Sequence, residues 1–304
     1  MRFVSFYDAQ ARIVPGLLLG EPDDARARVL DGSHPHCLAR LGQLAPAMLH
    51  WIEQGLQDVG QRLLAGGPPA DALRPLAGLR LAAPLPRPGK VVGAAFNYVD
   101  ALAERNMPHP AEPVVFVKSG RTVIGPGEPI VLGPALEHVT YEAELAAVIG
   151  TPALRVSRQA ALSHVCAYTI FNDVSVTAMV KADGGFVRGK NQPTSGPLGP
   201  WLATPEEIGD PMALDIGLEV DGQVLQQSST ARMLFDIATL IEYVSARMPL
   251  DPGDVIATGT PAGVAGAHTP PRWLAAGSTV TLAVQGLGRL SNPVVAGGAA
   301  QDTQ

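Results

Sequence analysis

The sequence predicts an α+β protein that is mainly β, and three observations predict it. Apolar residues alternate strictly over residues 214–220, meet the turn pair Asp221-Gly222 and continue beyond it, which is typical of a β-hairpin. The same alternation recurs at residues 280–284, before a turn bracketed by glycines. Segments with helical periodicity are few, so the helices are expected to pack against the strands.

The first part of the chain, residues 1–85, is predicted to form a small α/β module. Apolar runs at residues 3–6 and 13–19 are expected to be short strands around turns. Apolar residues at helical spacing predict one helix over residues 48–64, which ends near a Gly-Gly-Pro-Pro sequence.

Prolines between residues 84 and 88 mark the expected boundary of this module. A main domain is expected over residues 86–298. The last residues, 299–304, follow an Ala/Gly-rich stretch and are expected to be a flexible tail.

The main domain is expected to contain further strands and one clear helix. The strands are predicted from apolar runs at residues 114–117, 130–132, 167–172 and 255–257. The helix is predicted from an apolar stripe formed by Leu234, Ile237, Ile241 and Val244. Ser229 or Thr230 is the expected N-terminal cap of this helix.

Composition limits the classes of partner. Lys and Arg number 22 and Asp and Glu 28, which gives a formal net charge of −6. A mildly acidic chain without a basic block argues against nucleic acid or an anionic membrane as a partner. No signal-peptide or membrane-spanning apolar run is present, and Cys37 and Cys166 are expected to be free thiols, so the expected location is cytoplasmic.

The most informative segment contains two glutamates inside an apolar run. Glu142 and Glu144 are two residues apart, so on a strand they point to the same face. Paired carboxylates beside a buried strand favour a cation or a shared proton between them, although a solvent-facing pair of acids is the alternative. Asp173 follows the strand predicted at residues 167–172. Three carboxylates without Cys or His nearby suit Mg²⁺ or Mn²⁺, and less well Ca²⁺.

Two further segments are candidates for binding an anion. Arg188 and Lys190 follow a flexible Gly-Gly pair, although loop cations are commonly only solvated. Residues 258–263 form a glycine-bracketed turn that contains Thr260, and such a turn can offer backbone N–H groups and a hydroxyl to a carboxylate. A plain tight turn is the alternative.

From Lys90 to Val295 the order and spacing of these pieces resemble the fumarylacetoacetate hydrolase superfamily. The matching pieces lie at residues 96–98, 112–118, 124–127, 141–145, 172–175, 188–190, 253–261 and 291–295. The leading module is also similar to the small N-terminal domain of many bacterial members.

The resemblance implies a mixed β-roll catalytic domain, a homodimer, and bound Mg²⁺ or Mn²⁺. It implies a small-molecule 2-oxo or 2,4-dioxo acid as substrate, which members cleave by C–C hydrolysis, decarboxylate or isomerise between keto and enol forms. The implied metal ligands are Glu142, Glu144 and Asp173. The implied catalytic residues are Lys190 and Glu104, and the implied substrate-binding residues are Thr260, Arg188 and Tyr98.

Two positions depart from the family pattern. Ala101 stands where the family has a histidine that activates water, and Thr177 where it has an arginine that helps to hold an oxyanion. Losing a positioned base costs on the order of 10²–10⁴ in rate, and losing an oxyanion donor about 10²–10³. His109 is the histidine near enough in sequence to replace the missing base, although its place between two prolines is typical of an exposed loop.

These departures leave three hypotheses for the function. The first is an acylpyruvate-type C–C bond hydrolase, which is the usual class name in the family. The second is a decarboxylase or keto–enol isomerase, which needs no activated water. The third is a metabolite-binding protein that has kept the metal site and lost turnover.

Overall fold

The computed structural model describes residues 1–42, 47–134 and 136–298, and two open sheets organise it. The predicted tail at residues 299–304 lies outside the described residues. The strands of the leading segment are β1 (Arg2–Tyr7), β2 (Ile13–Leu19), β3 (Arg28–Asp31), β4 (Leu73–Pro75) and β5 (Leu81–Ala82). Its helices are α1 (Pro35–Leu41), α2 (Met48–Glu53) and α3 (Leu56–Leu64).

The rest of the chain is dominated by strands. These are β6 (Lys90–Ala95), β7 (Val114–Ser119), β8 (Val123–Ile124), β9 (Ile130–Leu132), β10 (Val139–Thr140), β11 (Ala143–Ile149), β12 (Val165–Asn172), β13 (Ser175–Val176), β14 (Gly196–Ala203), β15 (Asp215–Val220), β16 (Gln223–Ser229), β17 (Val255–Ala257), β18 (Thr279–Val284) and β19 (Gly288–Ala296). The helices are α4 (Val99–Glu104), α5 (Arg158–Ala161), α6 (Thr177–Asp183), α7 (Val187–Lys190), α8 (Pro205–Ile208) and α9 (Ile237–Ser245).

The larger sheet runs β4-β3-β2-β1-β14-β12-β11-β17-β6-β7, and the smaller runs β16-β15-β18-β19-β9. The predicted hairpin is present, because β15 and β16 pair antiparallel around Asp221-Gly222. Strands dominate and the sheets of the described residues stay open, so the predicted α+β, mainly β class is confirmed. Within those residues, no helix combines the length and the apolar character needed to cross a membrane.

Both faces of the larger sheet are covered. On β11, Leu145 and Ala147 belong to one core, which packs against the smaller sheet and α9, whereas Ala146 and Val148 belong to a second core with α2 and α3. A strand that is covered on both faces reads as a continuous apolar run. Acidic side chains at the beginning of such a strand are therefore withdrawn from bulk water.

Two local predictions were wrong. The helix predicted over residues 48–64 is two helices, because Gly55 adopts φ +85°, a backbone conformation that glycine reaches without steric cost. The cap of α9 is Asp236, whose carboxylate accepts a hydrogen bond from the N–H of Thr239 at 2.8 Å. Ser229 instead caps a separate short 3₁₀ turn over Thr230–Arg232, so α9 begins later than the apolar stripe indicated.

Candidate metal centre and substrate cavity

Strand pairing brings the three predicted ligands together. Glu142 immediately precedes β11 and Asp173 immediately follows β12, and these strands run antiparallel with Ala143 opposite Asn172. The start of one strand therefore lies beside the end of the other. The N–H of Asp173 donates to the carbonyl of Glu142 at 3.1 Å, which fixes this junction.

The ligand atoms of Glu142, Glu144 and Asp173 all lie within 4.8 Å of one another. Glu144 is 1% exposed and the side chain of Glu142 is 17% exposed, so the two glutamates do not form a solvent-facing pair. Asp173 is fully buried. The alternative of two surface glutamates, which the sequence left open, does not hold.

Two lysines contact this cluster. Lys190, at the end of α7, donates to Glu142 Oε2 at 2.8 Å and to Asp173 Oδ2 at 2.6 Å. Lys118, on β7, donates to Asp173 Oδ1 at 2.7 Å and to the carbonyl of Val174 at 2.9 Å.

The sequence interpretation gave Lys118 no role. A signal was available, because Lys118 is two residues from Phe116 on a strand and so shares its buried face. A lysine at a buried strand position requires an anionic partner, since an unpaired buried charge is very costly.

The electrostatics show a surplus of negative charge. Burial alone would raise the pKa of Asp173, but Lys118 and Lys190 hold that pKa below its ordinary value. Burial, and then the charges of Asp173 and Glu142, raise the pKa of Glu144 well above its ordinary value. Three carboxylates face two lysines, so one negative charge stays unmatched. Among the described residues, the N–H of Gly259, at 3.0 Å, is the one hydrogen-bond donor to Glu144.

This arrangement fits a divalent cation. A hard ion such as Mg²⁺ or Mn²⁺ prefers carboxylate oxygens, and it would balance the unmatched charge next to Glu144. In that state Glu142, Glu144 and Asp173 would be the ligands. Lys190 would then be free to turn from the carboxylates toward the cavity that it lines.

The cluster opens into a cavity of about 380 Å³. Glu142, Lys190 and Thr260 line it, so three of the predicted site residues meet around one space. The hydroxyl of Thr260 is held in place because it accepts a hydrogen bond from Gln226 Nε2 at 2.8 Å. Most other lining side chains are apolar, which suits an organic ligand with few polar groups.

Both positions that depart from the family pattern face this cavity. Ala101 on α4 and Thr177 at the start of α6 are in its lining. The absent histidine and arginine would therefore have pointed at the ligand, and what replaces them is a methyl group and a neutral hydroxyl.

The other predicted site residues lie apart from the cavity lining. Tyr98 is fully buried in the core, and burial raises the pKa of its hydroxyl. Arg188 is exposed and pairs with Asp183 at 2.9 Å. His109 is exposed. Glu104 is exposed too, but its carboxylate accepts from the N–H of Gly263 at 3.2 Å, which places it near the rim of the cavity.

Comparison with known proteins agrees with this geometry. Residues 90–295 match the family model described as fumarylacetoacetate (FAA) hydrolase C-terminal. The chain belongs to this family. Fumarylacetoacetate hydrolase family members are enzymes and generally depend on a divalent metal, and the resemblance predicted from the sequence is thereby confirmed.

Individual relatives differ in the activity that their names state. A 5-carboxymethyl-2-hydroxymuconate delta-isomerase from Mycobacterium smegmatis is 33% identical with a TM-score of 0.76, covering 98% of this chain and all of its own. A fumarylacetoacetate hydrolase from Exiguobacterium antarcticum is 30% identical with a TM-score of 0.82 and the same coverage. A protein of Burkholderia multivorans named "Putative hydrolase" is 38% identical over 90% of this chain and 95% of its own.

Proposed function

We propose that this chain is a Mg²⁺- or Mn²⁺-dependent enzyme that isomerises a 2-oxo acid between keto and enol forms. The observation that carries the proposal is a cluster of three carboxylates that meets, through Glu142, a cavity also lined by Lys190 and Thr260. When bound, a divalent cation supplies Lewis-acid stabilisation of negative charge on the 2-oxo oxygen.

The chain's own residues would position the substrate. Lys190 is cationic, because neighbouring carboxylates raise its pKa even though burial alone would lower it. Its ammonium group can therefore hold a substrate carboxylate or an enolate oxygen. Thr260 offers a hydroxyl to the same cavity, whose other lining side chains are mostly apolar.

Isomerisation needs fewer catalytic groups at this site than hydrolysis does. It moves one proton within the substrate, so it needs no activated water. Ala101 and Thr177 stand where the family has the water-activating histidine and the arginine. Both residues line the cavity. Glu104 is our candidate for the proton carrier. Its carboxylate accepts a hydrogen bond from the N–H of Gly263, which is the neighbour in sequence of the lining residue Val264. The isomerase name of a whole-length relative supports the same reaction class.

C–C bond hydrolysis is the second candidate, favoured by the hydrolase names of other relatives. It requires a base for water, and the exposed His109 lies outside the cavity lining. Decarboxylation needs neither the base nor the arginine, so it is tested alongside.

The decisive experiment offers Mn²⁺-loaded protein an acylpyruvate, oxaloacetate and an enol-form 2-oxo acid in parallel. We expect accelerated enol decay without C–C cleavage or CO₂ release. Release of pyruvate from the acylpyruvate would contradict our proposal and identify a hydrolase. Release of CO₂ would contradict it and identify a decarboxylase. Binding of all three without turnover would identify a metabolite-binding protein.

A further inference from the structure

Two cations line the cavity in addition to Lys190. They are Arg105, which follows the last residue of α4, and Lys181 on α6. Glu142 is the one acidic side chain of the described residues in that lining. Neither Arg105 nor Lys181 forms an ion pair with another described residue.

The placement of these cations follows a common geometry. Arg105 comes four residues after Ala101, and Lys181 four residues after Thr177. Residues four apart on a helix lie on the same face, one turn of about 5.4 Å further along. Thus α4 and α6, which carry Ala101 and Thr177 in place of the charged residues of the family, each place a cation about one turn further along.

The rest of the cavity lining is mainly apolar. Phe116 and Phe186 are among its residues, and their ring centroids lie 5.0 Å apart.

We propose that Arg105 and Lys181 form a second anionic subsite, which selects 2-oxo acids bearing a carboxylate at their far end. The 2-oxo acid end would lie at the carboxylate cluster with Lys190 and Thr260. The chain between the two ends would cross the apolar part of the cavity. This inference rests on the proposed function, because it takes the first end to be a 2-oxo acid at the metal centre.

The test measures binding, so it does not depend on turnover. Mn²⁺-loaded protein is titrated calorimetrically with 2-oxoadipate and with 2-oxohexanoate, which has the same chain length and no second carboxylate. We expect the dicarboxylate to bind at least about tenfold more tightly, because charge-assisted hydrogen bonds add to its affinity. The double substitution Arg105→Gln with Lys181→Gln should remove this difference while leaving the affinity for 2-oxohexanoate unchanged.

Arg121→Gln is the matched control, because Arg121 is exposed, cationic and outside the cavity lining. It should preserve the preference for the dicarboxylate. Equal affinity of the wild type for both acids, or a loss for both acids in the double variant, would overturn the subsite while the proposed function stands. Failure of both acids to bind the Mn²⁺-loaded wild type would overturn the proposed function, and the subsite with it.

Discussion

At the scale of single residues, the molecule places five ionisable side chains in one buried cluster. Asp173 is the centre, since Lys118 and Lys190 each contact a different oxygen of its carboxylate. Glu144 has no cation within hydrogen-bond distance among the described residues, and burial is the main cause that raises its pKa. The cluster is therefore stable only if its unmatched carboxylate is protonated or bound to a cation.

The first prediction is that Glu144→Gln strongly weakens divalent-metal binding. The amide keeps the size of the side chain but removes the charge that a hard cation requires. Mn²⁺ binding, followed by the electron paramagnetic resonance signal of the free ion, should fall by at least about tenfold. Glu206→Gln, at an exposed glutamate on α8, is the control. Unchanged Mn²⁺ affinity in the Glu144 variant would show that these carboxylates are not the metal site.

The second prediction concerns Lys118. Lys118→Met leaves a fully buried Asp173 with one cation instead of two, and removing one partner of a buried ion pair costs about 3–5 kcal/mol. We expect the free energy of unfolding in urea to fall by about 3 kcal/mol. Lys181→Met, at an exposed lysine, should change it by less than about 0.5 kcal/mol. Equal effects of the two substitutions would argue against an ion pair at Lys118.

The third prediction restores the missing histidine. Ala101→His points an imidazole into the cavity on the same helix as Glu104, which is three residues further along. We expect a measurable gain in acylpyruvate cleavage, with Mn²⁺ affinity unchanged. His109→Ala should have little effect, because His109 is exposed. Absence of any gain with intact metal binding would indicate that Thr177 limits hydrolysis instead.

At the scale of elements, α9 shows how a local cap decides where a helix begins. Asp236 accepts from the N–H of Thr239, and its carboxylate also pairs with Arg158, the first residue of α5. The sequence interpretation placed the cap at Ser229 or Thr230 because both precede the apolar stripe. The chain forms a 3₁₀ turn there first, so the first α-helical N–H groups lie several residues later.

The fourth prediction therefore tests Asp236. Asp236→Ala should lower the free energy of unfolding by about 1 kcal/mol, since it leaves an N–H of the first turn without its acceptor. Asp236→Asn keeps the cap and loses only the partly exposed ion pair, so it should cost less. Thermal unfolding monitored by circular dichroism gives both values. An equal loss in the two variants would assign the role of Asp236 to the ion pair.

At the scale of the whole molecule, the larger sheet crosses the predicted division between residues 1–85 and 86–298. β1 pairs antiparallel with β14, with Arg2 opposite Ala203 and Phe3 opposite Leu202. Phe3 and Leu202 also belong to the same core cluster. The strands of the leading segment thus cover what would otherwise be an edge of the sheet that carries the carboxylate cluster.

The fifth prediction follows from this pairing. A chain limited to residues 86–298 would expose part of the edge of β14 and the apolar face that α2 and α3 cover. Such edges and faces promote association between chains. We expect it to elute as aggregates in size-exclusion chromatography and to lack a cooperative unfolding transition. A monodisperse, cooperatively folding product would establish the predicted division as a boundary between independent domains.

The sequence by itself determined the features that have a local period or a contiguous motif. Alternation over residues 214–220 predicted the hairpin, and the two-residue spacing of Glu142 and Glu144 predicted that they face the same side. Asp173 could be placed because it ends an apolar strand. The order of the motifs identified the family, and the positions of Ala101 and Thr177 within them indicated an altered active site.

Only the tertiary structure decided which distant residues meet. Lys118 and Asp173 are 55 positions apart in the sequence. The alternation on the strand of Lys118 and the position of Asp173 after its own strand do not predict that the two side chains pair. Tyr98 belongs to a matching motif but is enclosed by the core. Arg105 and Lys181 line one cavity from different helices. The physical reason is that periodicity encodes which face of an element is buried, whereas the packing of whole elements selects the partner that this face meets.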